Sequence, residues 1–203
     1  MDPHVDGLEA YLIFDESARI WPLDSVHVAE FEIMGKPVYM HLIEALNSFA
    51  RIKKIVVLNV GKSGDIHIDN MNQLSIEIVK ERIDRISMSV LKEITNSLRD
   101  PKNDAIITHA FDPAVIFGSF PIHNKNMVIY EQKGKIVRPL VYIRSGSEWP
   151  EEGHRVDWRD METLPLYPWE MLVFSMKLLN TKIKGKSIAV SYTHLTLPTI
   201  LLV

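Results

Sequence analysis

Cysteine is absent from all 203 residues of the chain. Without thiols the protein has no disulfide framework, no thiolate metal site and no cysteine nucleophile. The chain also has no apolar run near the roughly 20 residues of a membrane-spanning helix. Residues 1–4 lack the basic start and apolar core of a signal peptide. We therefore expect a cytoplasmic protein that is neither exported nor inserted in a membrane.

An excess of charge of one sign is missing as well. Lysine and arginine number 23 against 26 aspartate and glutamate residues, a formal net charge of −3. Without a basic field to attract a phosphodiester backbone, we expect no nucleic acid polymer as a partner. The hydrophobic fraction of 46% and the charged fraction of 24% are typical of a soluble globular protein.

Several common catalytic signatures are also absent. The sequence has no serine nucleophile elbow and no Gly-x-Gly-x-x-Gly dinucleotide fingerprint. Gly61-Lys62-Ser63 follows a predicted strand, but a phosphate loop needs a glycine five residues earlier, where Val56 stands. The histidines show no paired spacing of a metal site. These absences argue against a serine hydrolase of the nucleophile-elbow type, a dinucleotide-binding enzyme, a phosphate-loop protein and a histidine metal site. The predicted fold is then the main guide to function.

What the sequence does contain is an alternation of strand and helix patterns. Continuous runs rich in β-branched residues predict buried strands over residues 55–60, 75–79 and 104–108. Apolar residues at helical spacing predict amphipathic helices over residues 37–49 and 88–98. This order predicts an α/β fold: a doubly wound, mostly parallel, Rossmann-like sheet in three α/β/α layers, with ligand sites at the carboxyl ends of its strands.

The second half of the chain has a different pattern. Residues 127–130 and 136–143 predict a hairpin, residues 148–159 predict a surface loop, and residues 172–179 predict a further helix.

The last residues do not resemble a native domain end. Residues 190–199 match the conceptual translation of a transposon-end adapter used in preparing sequencing libraries. We therefore expect one domain over residues 1–189, truncated at its C-terminal end, followed by a non-native segment over residues 190–203. The alternative is a genuine apolar strand over residues 195–203.

Residues 10–46 carry the most informative motifs. Tyr11-Leu12-Ile13-Phe14 is a short apolar strand, Arg19-Ile20-Trp21-Pro22-Leu23 closes a polar turn, and Gly35-Lys36-Pro37 opens a helix. This order resembles the sugar-phosphate nucleotidyltransferases. In that family a first strand enters a glycine-rich turn closed by Thr-Arg-x-x-Pro-Leu, and a later Gly-Lys-Pro begins a helix. The resemblance implies transfer of a nucleotidyl group from an NTP to a sugar 1-phosphate, giving an NDP-sugar and diphosphate, with magnesium as cofactor.

Three short stretches resemble a divergent subgroup of that family more closely. They are Ile13-Phe14-Asp15-Glu16, Val28-Ala29-Glu30-Phe31-Glu32-Ile33-Met34-Gly35 and Pro168-Trp169-Glu170. Members of the subgroup continue into a left-handed β-helix similar to acyltransferases of hexosamine 1-phosphate. The resemblance implies the N-terminal domain of a bifunctional uridylyltransferase/acetyltransferase-like protein, with a homo-oligomer formed through the missing β-helix.

The turn after the first strand departs from the family pattern. Aligned on Arg19, the two turn glycines of the family fall on Asp15 and Ser17, which the resemblance makes substrate-binding positions. Glycine lets backbone N–H groups approach a triphosphate. An acidic side chain at this position opposes triphosphate binding, because two like charges about 4 Å apart cost about 4 kcal/mol at an effective dielectric near 20. The phosphate-binding lysine of the family falls on Val28, and His27 is a weak substitute at neutral pH. The alternative for Asp15 is a solvated turn.

The resemblance assigns three further positions. Arg19 is the retained cation with a catalytic role, because its planar guanidinium can grip phosphate; a surface salt bridge is the alternative. Lys36 is a substrate-binding position, or else only marks the entrance of a helix. Asp112, in Phe111-Asp112-Pro113, falls where the family has a Gly-Asp that holds magnesium. An ordinary Asp-Pro turn is the alternative there.

Two hypotheses follow. The first is an active enzyme whose catalysis is mostly positioning and charge stabilisation of the transferred phosphoryl group. The second is a catalytically inert module of the same fold, which recognises a sugar nucleotide or assembles the acyltransferase domain that follows. Both have nucleotides and sugar phosphates as partners. The altered turn leaves enzymatic activity open.

Overall fold

The computed structural model describes residues 7–61, 76–118, 127–133, 136–150 and 164–183. Strands and helices alternate along most of this chain. In order, the elements are β1 (Leu8–Asp15), β2 (Arg19–Ile20), β3 (Leu23–His27), a 3-10 helix (Val28–Glu30), β4 (Glu32–Ile33), β5 (Lys36–Pro37), α1 (Val38–Phe49), β6 (Ile52–Val60), β7 (Glu77–Ile83), α2 (Met88–Leu98), β8 (Asp104–His109), α3 (Pro113–Ile116), β9 (Met127–Lys133), β10 (Ile136–Ile143) and α4 (Pro168–Ile183).

Six of the strands form one mostly parallel sheet in the order β7-β6-β1-β8-β10-β9. Strands β7, β6, β1 and β8 are parallel to one another, whereas β10 runs antiparallel to β8 and to β9. The remaining strands form two small antiparallel ribbons, β2 with β3 and β4 with β5. The predicted doubly wound α/β fold is confirmed, as is the hairpin of β9 and β10.

Strand β1 lies at the centre of the sheet and is covered on both faces. All eight of its residues are buried. Because side chains alternate along a strand, Leu12 and Phe14 belong to the core cluster on one face, and Tyr11 and Ile13 to the cluster on the other. This double burial explains the continuous apolar run in the sequence.

The helices supply the two outer layers. The core cluster on the Leu12 side includes buried residues of α1, α3 and α4, such as Leu42 and Phe174. The cluster on the Tyr11 side includes Leu91 of α2. Helix α2 starts at Met88, as the sequence predicts. The Ser87 hydroxyl caps it by accepting a hydrogen bond from the amide of Val90 at 3.3 Å. The three-layer arrangement is therefore confirmed.

The chain changes direction across the sheet between β1 and β8. After β1 it adds β6 and β7 on one side and then returns to place β8 on the other. The carboxyl ends of β1 and β8 meet, since Ile13 pairs with His109 and the Ala110 amide donates to the Ile13 carbonyl oxygen at 3.0 Å. A doubly wound sheet binds ligands at such a switch point.

Some predictions fall outside the described residues. They include the segment over residues 190–203, the part of the predicted loop beyond residue 150, and Lys62-Ser63. Among the helices that the structure describes, none combines the length and the apolar character needed to cross a membrane.

Candidate functional site

The side chain of Asp15 forms hydrogen bonds within the turn that follows β1. Strand β1 ends at Asp15, whose side chain is largely buried. Asp15 Oδ1 accepts hydrogen bonds from the Ser17 amide at 2.9 Å and from the Ser17 hydroxyl at 2.7 Å. A short acidic side chain that binds the backbone two residues on forms an Asx turn. The structure therefore brings two of the predicted substrate-binding residues, Asp15 and Ser17, into one turn.

The backbone amides of this turn are all used inside the protein. The amide of residue 17 donates to the Asp15 side chain, and those of its neighbours donate to carbonyl oxygens. These bonds run from Glu16 to Val60 at 3.1 Å, from Ala18 to Asp15 at 2.8 Å, and from Arg19 to Ser17 at 2.9 Å. In a phosphate-binding turn such N–H groups point at the anion. Here the Ser17 N–H group donates to the Asp15 carboxylate of the chain itself.

A crevice of about 240 Å³ opens beside this turn, at the carboxyl ends of β1, β6 and β7. It carries three carboxylates and one guanidinium. Its lining consists of Asp15, Glu16, Ser17, Val60, Gly61, Asp84, Arg85, Ile86 and Val137. We call this space the β1 crevice.

Gly61 lets the Glu16 side chain lie across the end of β6. It has a φ of +104°, and a Cβ atom at this position would lie 2.1 Å from Glu16 Cδ. A side chain at residue 61 would therefore suffer backbone strain and collide with the side chain of Glu16.

His27 faces inward and supports the turn. Its Nδ1 accepts a hydrogen bond from the Ala29 amide at 3.1 Å, so Nε2 carries the proton and donates to the Asp15 carbonyl oxygen at 2.8 Å. The ring is buried near Phe14 and Phe111. Burial lowers the pKa of His27 to about 4, and the hydrogen bond to Asp15 only partly opposes this effect. His27 is therefore neutral at pH 7 and cannot replace the family lysine as a cation.

Asp112 caps helix α3 and forms a buried ion pair. Its Oδ1 accepts from the Ala114 amide at 2.9 Å and from Arg138 Nη2 at 2.6 Å, and its Oδ2 accepts from Arg138 Nε at 2.8 Å. The side chains of Asp112 and Arg138 are 0% and 1% exposed. The described part of the chain holds no group of three or more His, Asp or Glu side chains placed to bind a metal. The magnesium role of Asp112 stays a prediction, and the donors around this carboxylate do not fit it.

His109 lies beside this ion pair, at the carboxyl end of β8. Its ring is fully buried, and one nitrogen, Nε2, lies 2.6 Å from the Val137 carbonyl oxygen. The other nitrogen, Nδ1, is buried without a hydrogen-bond partner. Burial lowers the pKa of His109, although the carboxylates of Asp112 and Asp15 oppose the shift.

The structure separates the two predicted cationic residues from the β1 crevice lining. Arg19 Nε donates to the Glu16 carbonyl oxygen at 3.0 Å, across the closed turn. Lys36 lies on β5 and pairs with Glu44, which also pairs with Lys182 at 2.6 Å. The roles of Arg19 and Lys36 stay predictions.

Two sets of residues were not predicted from the sequence. Arg138 is a single charged residue in the apolar strand β10, and a charge that must be buried calls for a partner of opposite sign. That pattern could have revealed its ion pair. Asp84 and Arg85 follow β7 directly, so their place after a parallel strand was the signal for the crevice.

Comparison with known proteins gives structural similarities only. No protein-family model and no curated protein sequence matches the chain. One similar structure is a CMP:2-keto-3-deoxy-manno-octonic acid synthetase complexed with CTP, with a TM-score of 0.34 and 15% identity over 52% of this chain. The match covers only 40% of the synthetase chain.

Two other similar structures are matched over more of their length. The inositol-1-phosphate CTP transferase from T. maritima has a TM-score of 0.42 and 9% identity, covering 68% of this chain and 70% of that one. A 4-diphosphocytidyl-2C-methyl-D-erythritol synthase has a TM-score of 0.42 and 10% identity, covering 85% and 99%. At these scores the similarity assigns no activity to the chain.

Proposed function

We propose that this chain is a nucleotidyltransferase-like domain of nucleotide-sugar metabolism that binds a sugar nucleotide at the β1 crevice without transferring a nucleotidyl group. One observation carries the proposal. The four amides of residues 16–19 all donate within the protein, one of them to the Asp15 carboxylate. A turn in this state offers no backbone donor to a triphosphate.

The charges of the crevice act in the same direction. Asp15, Glu16 and Asp84 face a single guanidinium, that of Arg85. Each carboxylate about 4 Å from a phosphate charge costs about 4 kcal/mol at an effective dielectric near 20, so a triphosphate on its own is disfavoured. Carboxylates are, however, good acceptors for sugar hydroxyl groups, and Arg85 can pair with one phosphate. This donor and acceptor set suits a hydroxyl-rich ligand of low phosphate charge.

The second candidate is the active enzyme, which converts an NTP and a sugar 1-phosphate into an NDP-sugar and diphosphate. The observation in its favour is the place of the crevice at the carboxyl ends of three parallel strands, β1, β6 and β7, the edge of the sheet where α/β folds bind ligands. In that case Arg19 is the catalytic cation, and Asp15, Ser17 and Lys36 contact substrate. A divalent cation held by carboxylates would have to offset the negative charge of the crevice.

Calorimetry with the intact chain separates the two candidates. We expect no binding of CTP or UTP with Mg²⁺ and measurable binding of a UDP-hexose. The Asp15→Gly, Ser17→Gly double variant removes the internal carboxylate, so it should gain NTP binding. The control is Glu93→Gln, which alters an exposed acid on α2 and should bind as the native chain does.

An assay for released diphosphate tests the alternative directly. Turnover by the native chain that is lost in Arg19→Ala, with unchanged folding, would establish the enzyme and overturn the inert module. Failure of both the native chain and the glycine variant to bind any of these ligands would overturn the proposed ligand site.

A further inference from the structure

Helix α4 is apolar on two opposite faces. Its inner face carries Met171, Phe174 and Leu178, which are 3–4% exposed in the core. Its outer face carries large apolar side chains at helical spacing. They are Trp169, Leu172, Val173, Met176 and Leu179, exposed by 42–65%. We call these five residues the α4 outer face. A helix that is hydrophobic all round is normally buried on all sides.

An aromatic cluster extends this face beyond the helix. The rings of Tyr167 and Trp169 are stacked at 4.8 Å with an interplanar angle of 5°. Tyr167 also meets Trp21 edge to face at 6.2 Å, and Trp21 is 58% exposed. The Trp21 amide donates to the Leu166 carbonyl oxygen at 3.0 Å, which fixes this loop against the start of α4. The apolar surface is therefore held in place by backbone contacts.

The outer face carries no charge. Every fully exposed position of α4 from Pro168 to Asn180 has an uncharged side chain. Glu170 lies in the first turn and Lys182 in the last. Lys177, in the middle of the helix, is half-buried at the side of this face, with its Nζ 4.6 Å from the centre of the Phe117 ring. A partner that covers the centre of this surface therefore buries no unpaired charge, which is the main cost of an interface.

The exposed area is large enough for a pair of copies. Aromatic side chains offer about 150–250 Å² each, so the outer face and Trp21 together expose on the order of 600 Å². Two such surfaces bury about 1,200 Å², at the lower end of specific interfaces. Single monomers rarely leave a contiguous apolar patch of this size uncovered. Tryptophan and methionine, present here, are enriched in interface cores.

We propose that the α4 outer face is the contact between two copies of this chain, with their α4 helices packed antiparallel about a two-fold axis near Val173 and Met176. The antiparallel arrangement sets the acidic first turn of one helix beside the basic last turn of the other. This arrangement also places the positive end of each helix dipole near the negative end of the other, which is favourable. The two-fold axis makes the surface self-complementary, as an isologous interface requires. The contact is independent of the β1 crevice.

Sedimentation equilibrium tests the contact first. We expect the intact chain to have twice its 23.3 kDa mass at micromolar concentration. Val173→Glu places a charge in the middle of the outer face and should weaken dimerisation at least tenfold. The matched control is Phe49→Glu, which charges an exposed apolar side chain at the end of α1 and should leave the dimer unchanged. A monomeric native chain, or a dimer that Val173→Glu does not weaken, would overturn the proposal.

The absence of cysteine allows a second, geometric test. Met176→Cys introduces the one thiol of the chain near the proposed axis, and a short bismaleimide should link two copies through it. Phe49→Cys should give no such link. Vesicle sedimentation of the native chain separates a lipid surface from a second copy. Vesicle binding that depends on Val173, without cross-linking at residue 176, would refute the dimer.

Discussion

The Asp112 carboxylate and the Arg138 guanidinium are joined by two hydrogen bonds of 2.8 and 2.6 Å, with both side chains buried. The pair links the start of α3 to β10. Because either charge left alone in the interior would be uncompensated, each side chain requires the other. The position at which the family resemblance implies a metal ligand thus holds an ion pair that joins α3 to β10, a strand inside the sheet.

We predict that Arg138→Leu lowers the free energy of unfolding by about 3–5 kcal/mol, because it leaves a buried carboxylate without its partner. Urea unfolding measures the change. The control is Lys182→Gln, which breaks an exposed ion pair with Glu44 and should cost less than about 1 kcal/mol. Equal effects of the two substitutions would contradict the prediction.

Gly61→Ala should destabilise the protein for two reasons that can be separated. The residue has a φ of +104°, and its added Cβ would overlap the Glu16 side chain. We expect a loss of about 1–2 kcal/mol in thermal or urea unfolding, about 1 kcal/mol of it from the backbone conformation and a smaller part from displacing the flexible Glu16 side chain. Gly146→Ala is the matched control, since it has a φ of +71° with nothing within 4 Å of the added Cβ, and it should lose only about 1 kcal/mol. The Glu16→Ala, Gly61→Ala double variant should recover the difference.

The fold could be predicted because its signals are local. The residue range 88–98 has helical spacing and a serine directly before it, and both the helix and its cap are found there. Residues 55–60 of strand β6 form a mostly apolar run, and all six of them are buried as such a run requires. The small ribbons β2–β3 and β4–β5 were not predicted, because three of their four strands have only two residues and carry no periodicity.

The site could be predicted only in part, because its contacts join distant residues. The sequence indicates that Asp15 and Ser17 replace glycines, but it does not show that Asp15 Oδ1 binds the Ser17 amide. Asp112 and Arg138 are 26 residues apart, on elements whose approach depends on the packed sheet. The inward orientation of His27 likewise depends on the ribbon that pairs it with Arg19. Such pairings follow from tertiary structure and leave no local pattern.

His27 should make the protein sensitive to mild acid. Its pKa of about 4 in the folded protein lies below the value of about 6.5 expected in the unfolded chain. The unfolded chain therefore binds the proton more readily, so stability is full above pH 6.5 and falls as the pH drops towards 4. The loss from this one group is about 3 kcal/mol.

His27→Gln offers an amide donor in place of Nε2–H and does not titrate. In urea unfolding, the free energy of unfolding of this variant should fall less between pH 7 and pH 4 than that of the native chain. Part of the fall that remains should come from His109, whose pKa is also lowered. A variant with the same acid limb as the native chain would show that His27 is not the group that titrates.

Adjacent residues of α4 should differ sharply in their contribution to stability. Phe174 is 4% exposed and its ring lies 5.2 Å from that of Phe117, whereas Val173 is 65% exposed. Phe174→Ala should cost about 3–5 kcal/mol through lost burial and a residual cavity. Val173→Ala should cost less than about 0.5 kcal/mol when unfolding is followed at a concentration where the chain is monomeric. If Val173→Ala becomes costly only as the protein concentration rises, its surface is buried in the dimer, since association stabilises the folded state by mass action. If both substitutions lower the free energy of unfolding by a similar amount at low concentration, α4 packs against the sheet through a different face.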